Sequence, residues 1–173
     1  SAARQRIYRQ SDAIATLELP GLPHLGSGIT WERQGRRVMA TPNLREGVVS
    51  VIDVADWKPV AQVRTLGAGF FLRSHENVRT VWVDSMIGPK GRDTLQVIDK
   101  DSLEVVAQLT PVPGKTLAHI EFDRYGRYAL ASLWEDDGAL IVFDAKTLKE
   151  VKRIPMRKPV GKYNVHNKVT RSE

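Results

Sequence analysis

The stretch that decides the fold is Gly47-Val-Val-Ser-Val-Ile-Asp53-Val-Ala-Asp-Trp57-Lys-Pro-Val-Ala-Gln-Val63. Its β-branched run suits a buried strand, and its aspartate can accept backbone N–H groups and so open a turn into a second strand. The same pattern returns without gaps from Asp93 to Leu109 and from Gly138 to Ile154. The aspartates stand at positions 53, 99 and 144, so the period is 46 and then 45 residues. Such a period is typical of the four-stranded blades of β-propellers.

Another pair of strand-like runs precedes each copy of this repeat. The two runs of each pair are joined by a short polar turn: Gln34-Gly35, Glu76-Asn77 or Tyr125-Gly126. The repeat therefore predicts an all-β fold, a β-propeller with full blades at residues 23–63, 69–109 and 116–154. We expect residues 1–20 to end a preceding blade and residues 161–168 to supply the first strand of a following one, which makes about four consecutive blades. No stretch of 11 or more residues has a helical apolar period.

A part-ring of this kind has to be completed by something else. Propellers close with about 4–8 blades, and an open half-ring exposes strand edges and an apolar face. Two explanations stay open: the chain is the C-terminal part of a longer protein, which we favour, or a homodimer of two copies completes one ring.

Composition removes several classes of function. The 173 residues contain no cysteine, which excludes thiolate metal sites, a cysteine nucleophile and a c-type haem attached to this chain. The net charge is +6, but acidic and basic residues are mixed along the chain, so nucleic acid is not the predicted partner. No apolar run approaches the roughly 20 residues of a membrane span. The densest basic cluster, between Lys149 and Lys162, is either a solvated surface or a site for a ligand with several carboxylates.

Four segments carry a resemblance to a known family. They are Pro23-His24-Leu25-Gly26, Gly69-Phe70-Phe71-Leu72-Arg73-Ser74-His75, Ser132-Leu133-Trp134 and Gly161-Lys162-Tyr163-Asn164-Val165. In this order they resemble the C-terminal half of the d1-haem domain of the cytochrome cd1 nitrite reductase family, an eight-bladed propeller with haem d1 across its axis. The segments Leu22–Trp31, Arg73–Asn77 and Trp134–Leu140 are closer to the NirN-type dehydrogenases of haem d1 biosynthesis in that family.

The resemblance implies a periplasmic oxidoreductase that binds a tetrapyrrole, haem d1 or dihydro-haem d1, and converts the second into the first for denitrification. A c-type haem would belong to a separate cytochrome domain or electron-transfer protein. Three alternatives stay open: a cytochrome cd1 nitrite reductase that makes nitric oxide, a non-catalytic haem d1 carrier, and a propeller that only binds other proteins.

The resemblance also implies roles for individual residues. His24 and His75 are the predicted catalytic residues and candidate haem iron ligands, because neutral imidazole binds iron and titrates near neutral pH. Alignment of the strands alone places these two histidines at opposite rims, whereas the resemblance places them together, and we expect the latter. The predicted cofactor-binding residues are His119, Arg73, Lys115, Trp134, Gly161, Lys162 and Tyr163. The cations among them suit haem carboxylates and the aromatic rings suit a flat macrocycle, although surface charge and propeller core are the alternatives.

Overall fold

The computed structural model describes residues 2–9 and 12–162, which form strands joined by turns. The strands are β1 (Ala2–Arg9), β2 (Asp12–Pro20), β3 (Ile29–Arg33), β4 (Arg36–Thr41), β5 (Val48–Asp53), β6 (Lys58–Arg64), β7 (Leu72–Arg73), β8 (Thr80–Val83), β9 (Leu95–Asp99), β10 (Val105–Leu109), β11 (Leu117–Phe122), β12 (Tyr128–Leu133), β13 (Ala139–Asp144) and β14 (Glu150–Pro155). A single 3-10 turn, Leu25–Ser27, is the one helical element within these residues. Among them no helix has the length and apolar character needed to cross a membrane.

The strands form three four-stranded antiparallel sheets in chain order, β3 to β6, β7 to β10 and β11 to β14, while β1 pairs with β2. The predicted all-β propeller is therefore confirmed. The assignment of residues 1–20 and 161–168 to neighbouring blades stays a prediction, and residues 163–168 lie outside the described part of the chain.

The repeated aspartates build the same turn in every sheet. The Asp53 carboxylate accepts N–H groups of Ala55 and Asp56 at 2.8 and 3.0 Å, and Asp99 and Asp144 accept the equivalent pairs. The residue four positions later has a positive φ in each case: Trp57 (52°), Leu103 (62°) and Leu148 (61°). Local side-chain capping therefore fixes the hairpin that the repeat predicts.

The core lies between the faces of neighbouring sheets. Trp31 and Val49 of the first sheet pack with Val81 and Ile98 of the second. On the other face of the second sheet, the fully buried Trp82 ring lies 5.9 Å from the rings of Phe122 and Phe143 in the third sheet. Burial of each such large side chain contributes about 1.5–3 kcal/mol. The sheets therefore stack face to face, as blades do.

The topology gives the assembly two rims. Because the strands are antiparallel, the first and third strands of each sheet begin on the same side on which the second and fourth strands end. We call this side the His24 rim, because His24 precedes β3, and the opposite side the His75 rim, because His75 follows β7. The first strands β7 and β11 contact each other, which makes them the innermost strands of their sheets.

Candidate functional site

His24 lies on the His24 rim, in the loop that leads into β3. Its backbone N–H donates to the Pro42 carbonyl at 2.8 Å, and a bridge between Pro23 and Asn43 holds the loop beside the end of β4. The half-buried imidazole makes a 2.8 Å hydrogen bond from Nδ1 to the Phe70 carbonyl. A carbonyl can only accept, so Nδ1 carries the proton and Nε2 of the neutral ring keeps its lone pair. That nitrogen can therefore bind iron or accept a proton.

A row of four aromatic rings connects His24 to His119. The ring centroids of His24 and Phe70 are 4.2 Å apart, those of Phe70 and Phe71 are 4.7 Å apart, and those of Phe71 and His119 are 4.1 Å apart. These residues come from the first, second and third sheets, so the row crosses the inner ends of three consecutive sheets. The structure thus brings His24 and His119 into one cluster, with two phenylalanines between them.

His119 is fully buried within β11, at an irregularity in the pairing with β12 and with a φ of 52°. A positive φ costs a residue with a Cβ about 1–2 kcal/mol, so the surroundings must impose it. Nδ1 accepts the Gly161 N–H at 2.9 Å. Burial, followed by the charges of Lys162 and Arg73, lowers the His119 pKa to about 3, so the ring is neutral at physiological pH. A neutral imidazole that accepts at Nδ1 carries its proton on Nε2.

Asp84, which sequence reasoning missed, fixes the backbone beneath the ring row. It is fully buried after β8, and its carboxylate accepts from the N–H groups of Phe70 (2.7 Å), Phe71 (3.2 Å) and His119 (3.2 Å). Burial raises its pKa to about 6, against these three hydrogen bonds. One side chain thus couples the second sheet to the third.

A repeat signal could have identified Asp84. Asn43 and Glu135 lie in similar places in the other two sheets, two residues after β4 and β12, whereas Asp84 directly follows β8. Asn43 accepts the Leu22 N–H at 3.1 Å, and Glu135 accepts the Thr116 N–H at 2.6 Å. In each sheet an acceptor side chain shortly after the second strand therefore holds the segment that enters the first strand.

Lys162 and Arg73 direct their charges into the protein. The Lys162 amine donates to the His119 carbonyl and, at 2.7 Å, to the hydroxyl of the fully buried Ser132. Burial lowers the Lys162 pKa to about 7, although Glu121 and Asp84 act in the opposite direction. Arg73 Nε lies 3.7 Å from a Glu121 carboxylate oxygen, and both side chains are largely buried. Neither charged group is therefore exposed on the His24 rim.

The more exposed predicted residues lie at the end of the third sheet on the His24 rim. The Lys115 amine pairs with Asp137, and Trp134 leaves 40% of its surface exposed. Arg157 and Lys158 both pair with Asp136, at 2.9 and 3.3 Å. Tyr163 lies outside the described residues. These cations are held by acidic partners that a carboxylate-bearing ligand could replace.

His75 lies on the other rim, away from His24. Its Nδ1 accepts the Asn77 N–H at 3.1 Å and its Nε2 donates to the Arg124 carbonyl at 3.0 Å, so both ring nitrogens bond to backbone. His75 is 8% exposed, and its ring connects the β7–β8 turn to the β11–β12 turn. The expectation that His24 and His75 lie together disagrees with this structure. The reason is that β7 runs between Phe70 and His75 and carries them to opposite ends of one strand.

The His24 rim also carries a set of exposed apolar side chains in its loops. They are Leu22, Leu25, Leu66, Ile87, Trp134, Met156 and Val160. An apolar rim beside a few directed polar groups suits a ligand with large apolar faces.

Comparison with known proteins identifies the family that the chain matches. Residues 3–168 match the family described as Cytochrome D1 heme domain. The dihydro-heme d1 dehydrogenase of Pseudomonas aeruginosa is 54% identical over 160 residues, which is 92% of this chain and 32% of that protein. Protein NirF of Stutzerimonas stutzeri is 30% identical over 140 residues, 81% of this chain and 34% of that protein.

Solved structures show the same relationship. Dihydro-heme d1 dehydrogenase NirN in complex with DHE superposes with a TM-score of 0.88 at 54% identity, over 91% of this chain and 34% of that one. Hydrazine synthase of Kuenenia stuttgartiensis has a TM-score of 0.69 at 14% identity, over 90% of this chain and 43% of that one, and shares the fold alone. The chain thus spans about a third of the length of the dehydrogenase and NirF relatives.

Proposed function

The chain belongs to the cytochrome D1 heme domain family, and on that premise we propose that the protein binds a d1-type haem at the His24 rim and oxidises dihydro-haem d1 to haem d1. The 54% identical dihydro-heme d1 dehydrogenase supports this choice within the family. We further propose a periplasmic location, and a c-type cytochrome domain or electron-transfer protein as the electron acceptor, because this chain has no cysteine to attach a c-type haem.

The observation that carries the proposal is the hydrogen bond from His24 Nδ1 to the Phe70 carbonyl at 2.8 Å. It leaves the Nε2 lone pair for iron, which a histidine needs if it is to bind a haem iron. The Phe70 ring and the exposed apolar residues of the rim suit the faces of a flat macrocycle. Lys115, Arg157 and Lys158 suit carboxylates at its edge. The residues present therefore fit a tetrapyrrole.

The bound tetrapyrrole would supply the redox chemistry, and the protein's contribution is binding, orientation and exclusion of water. His24 would bind the haem iron through Nε2, from a loop that contacts with Pro42 and Asn43 fix in place. Phe70 and Phe71 would keep water from the face between His24 and His119. His119, neutral because of its low pKa, would keep a hydrogen-bond donor at Nε2.

We propose a structural part for His75. Both of its ring nitrogens bond to backbone groups of turns on the opposite rim. It would therefore stabilise the contact between two blades and not touch the ligand.

The test is a titration of the full-length protein with haem d1 and with dihydro-haem d1, followed by absorbance spectra. We expect both to bind and the second to be converted into the first. His24→Ala should lose the spectrum of a histidine-ligated haem, and His75→Ala, as the matched control, should keep it.

Each other outcome would overturn part of the proposal. Binding without conversion would indicate a carrier, and reduction of nitrite to nitric oxide would indicate the reductase branch of the family. No binding by the full-length protein would leave a propeller that binds other proteins.

A further inference from the structure

We propose that Gly161 and Lys162 act on the site through His119, by holding its imidazole in the tautomer that carries the proton on Nε2. His119 would then serve as a hydrogen-bond donor and not as an iron ligand. The inference rests on the proposed function for the identity of the ligand. It also replaces the prediction that Gly161 and Lys162 bind the cofactor themselves, making them positioning residues.

The first contact is the backbone N–H of Gly161. It donates to His119 Nδ1 at 2.9 Å, and Gly161 has a φ of 73°. Glycine adopts this conformation without the steric cost that a Cβ would add. An N–H group can only donate, so the Nδ1 atom that it meets must keep its lone pair, and the ring proton stays on Nε2.

The second contact anchors this arrangement. The Lys162 amine donates to the His119 carbonyl and to Ser132 Oγ, which is 2.7 Å away. The segment that follows β14 is thereby attached to β11 and β12 of the same sheet. A buried amine without partners is costly, so these acceptors hold Lys162 in place and, with it, the neighbouring Gly161 N–H.

The remaining sides of His119 are also held. The Phe71 ring stacks on the imidazole with an interplanar angle of 15° and a centroid distance of 4.1 Å. The Asp84 carboxylate accepts the His119 backbone N–H at 3.2 Å. With the ring stacked on one face and the backbone fixed from two directions, rotation of the imidazole would break the Gly161 contact.

His24 has the opposite arrangement, which gives the two histidines different chemistry. At His24 the partner of Nδ1 is a carbonyl, whereas at His119 it is an N–H group. In their neutral forms His24 therefore offers a lone pair at Nε2, and His119 offers a proton there. The row of rings therefore has a hydrogen-bond acceptor at one end, His24 Nε2, and a hydrogen-bond donor at the other, His119 Nε2.

The direct test is solid-state ¹⁵N NMR of the haem-free, full-length protein labelled at histidine, because a protonated imidazole nitrogen and an unprotonated one resonate far apart. Difference spectra against His24→Gln and His119→Gln assign the signals. We expect a protonated Nδ1 in His24 and a protonated Nε2 in His119. A protonated Nδ1 in His119 would overturn the inference, whether or not the protein binds haem.

Substitution of the anchor tests the cause. Lys162→Met should leave His119 as a mixture of tautomers and His24 unchanged. If this variant does not fold, Ser132→Ala takes its place, and we expect it to shift the His119 tautomers in the same direction. Lys115→Met is the matched control, because it removes a lysine of the same sheet that pairs with Asp137. It should leave the tautomers of both His24 and His119 unchanged. An unchanged His119 in both anchor variants would refute the role of Lys162.

A functional measurement separates positioning from ligand binding. For Lys162→Met we expect affinity for dihydro-haem d1 within about twofold of the wild type and conversion at least about tenfold slower. A large loss of affinity would instead show that Lys162 contacts the ligand. Failure of the wild-type protein to bind any haem would overturn the proposed function and leave the tautomer result standing.

Discussion

Replacing His75 with alanine removes one hydrogen bond between neighbouring blades, to Arg124, and one within the β7–β8 turn, from Asn77. Its Nε2–H bond to Arg124 (3.0 Å) and the Asn77 N–H bond to its Nδ1 (3.1 Å) are each worth about 0.5–1.5 kcal/mol net. His75 is buried, but Asn77 and Arg124 are exposed, so water can reach the backbone groups that lose their partners and adds no further cost. Together we expect the β7–β8 and β11–β12 turns to lose about 1–3 kcal/mol of protection against local opening.

Hydrogen exchange of the full-length protein, followed by mass spectrometry, measures this loss. Each 1.4 kcal/mol corresponds to a factor of about ten, so backbone amides in these two turns should exchange about 5- to 140-fold faster. Haem d1 binding should stay near that of the wild type. His24→Ala is the matched control, for which we expect the reverse: protected turns on the His75 rim and a lost haem signature.

Two results would refute this reasoning. Unchanged exchange in the turns would show that His75 does not join the blades. Loss of haem ligation or conversion in a variant whose turns stay protected would return His75 to the predicted catalytic role.

Three further predictions concern stability and rim charge. Burial raises the Asp84 pKa to about 6, above its unfolded value, so the stability that Asp84 contributes is full below about pH 4 and is lost as pH rises through 6. In urea unfolding, the stability of Asp84→Asn relative to the wild type should therefore rise by about 3 kcal/mol across that window. A difference that does not depend on pH would contradict this prediction. Gly126→Ala should destabilise the protein more than Gly114→Ala, because both have a positive φ but only at Gly126 would a Cβ lie 2.5 Å from His75 Nδ1; equal urea midpoints would exclude that collision. Asp136→Asn should strengthen haem d1 binding modestly by releasing Arg157 and Lys158, which now pair with it; in the same titration, weaker binding would show that the pairs hold the rim in shape.

Part of the site could be predicted from the sequence. His24 and His119 were both candidates, and the structure connects them through one row of rings. Alignment of the strands also predicts the separation of His24 from His75 that the structure has, whereas the family resemblance predicts that they lie together. The strand argument succeeded because a residue before a strand and a residue after it emerge at opposite ends.

The sequence alone determined the all-β propeller, its blade repeat and its turns, because these depend on local chemistry: alternating β-branched strands, and an aspartate that caps the N–H groups two and three residues later. It also placed the chain in its family, and that prediction is confirmed. Only the tertiary structure decided what each polar side chain does. The position of the ring proton in His119 depends on an N–H group 42 residues away in the sequence, and that in His24 depends on a carbonyl 46 residues away. Asp84 accepts the backbone N–H of His119, which is 35 residues away in the sequence. Such partners meet only when separate blades pack, and no pattern within one repeat encodes which backbone atom will be a donor and which an acceptor.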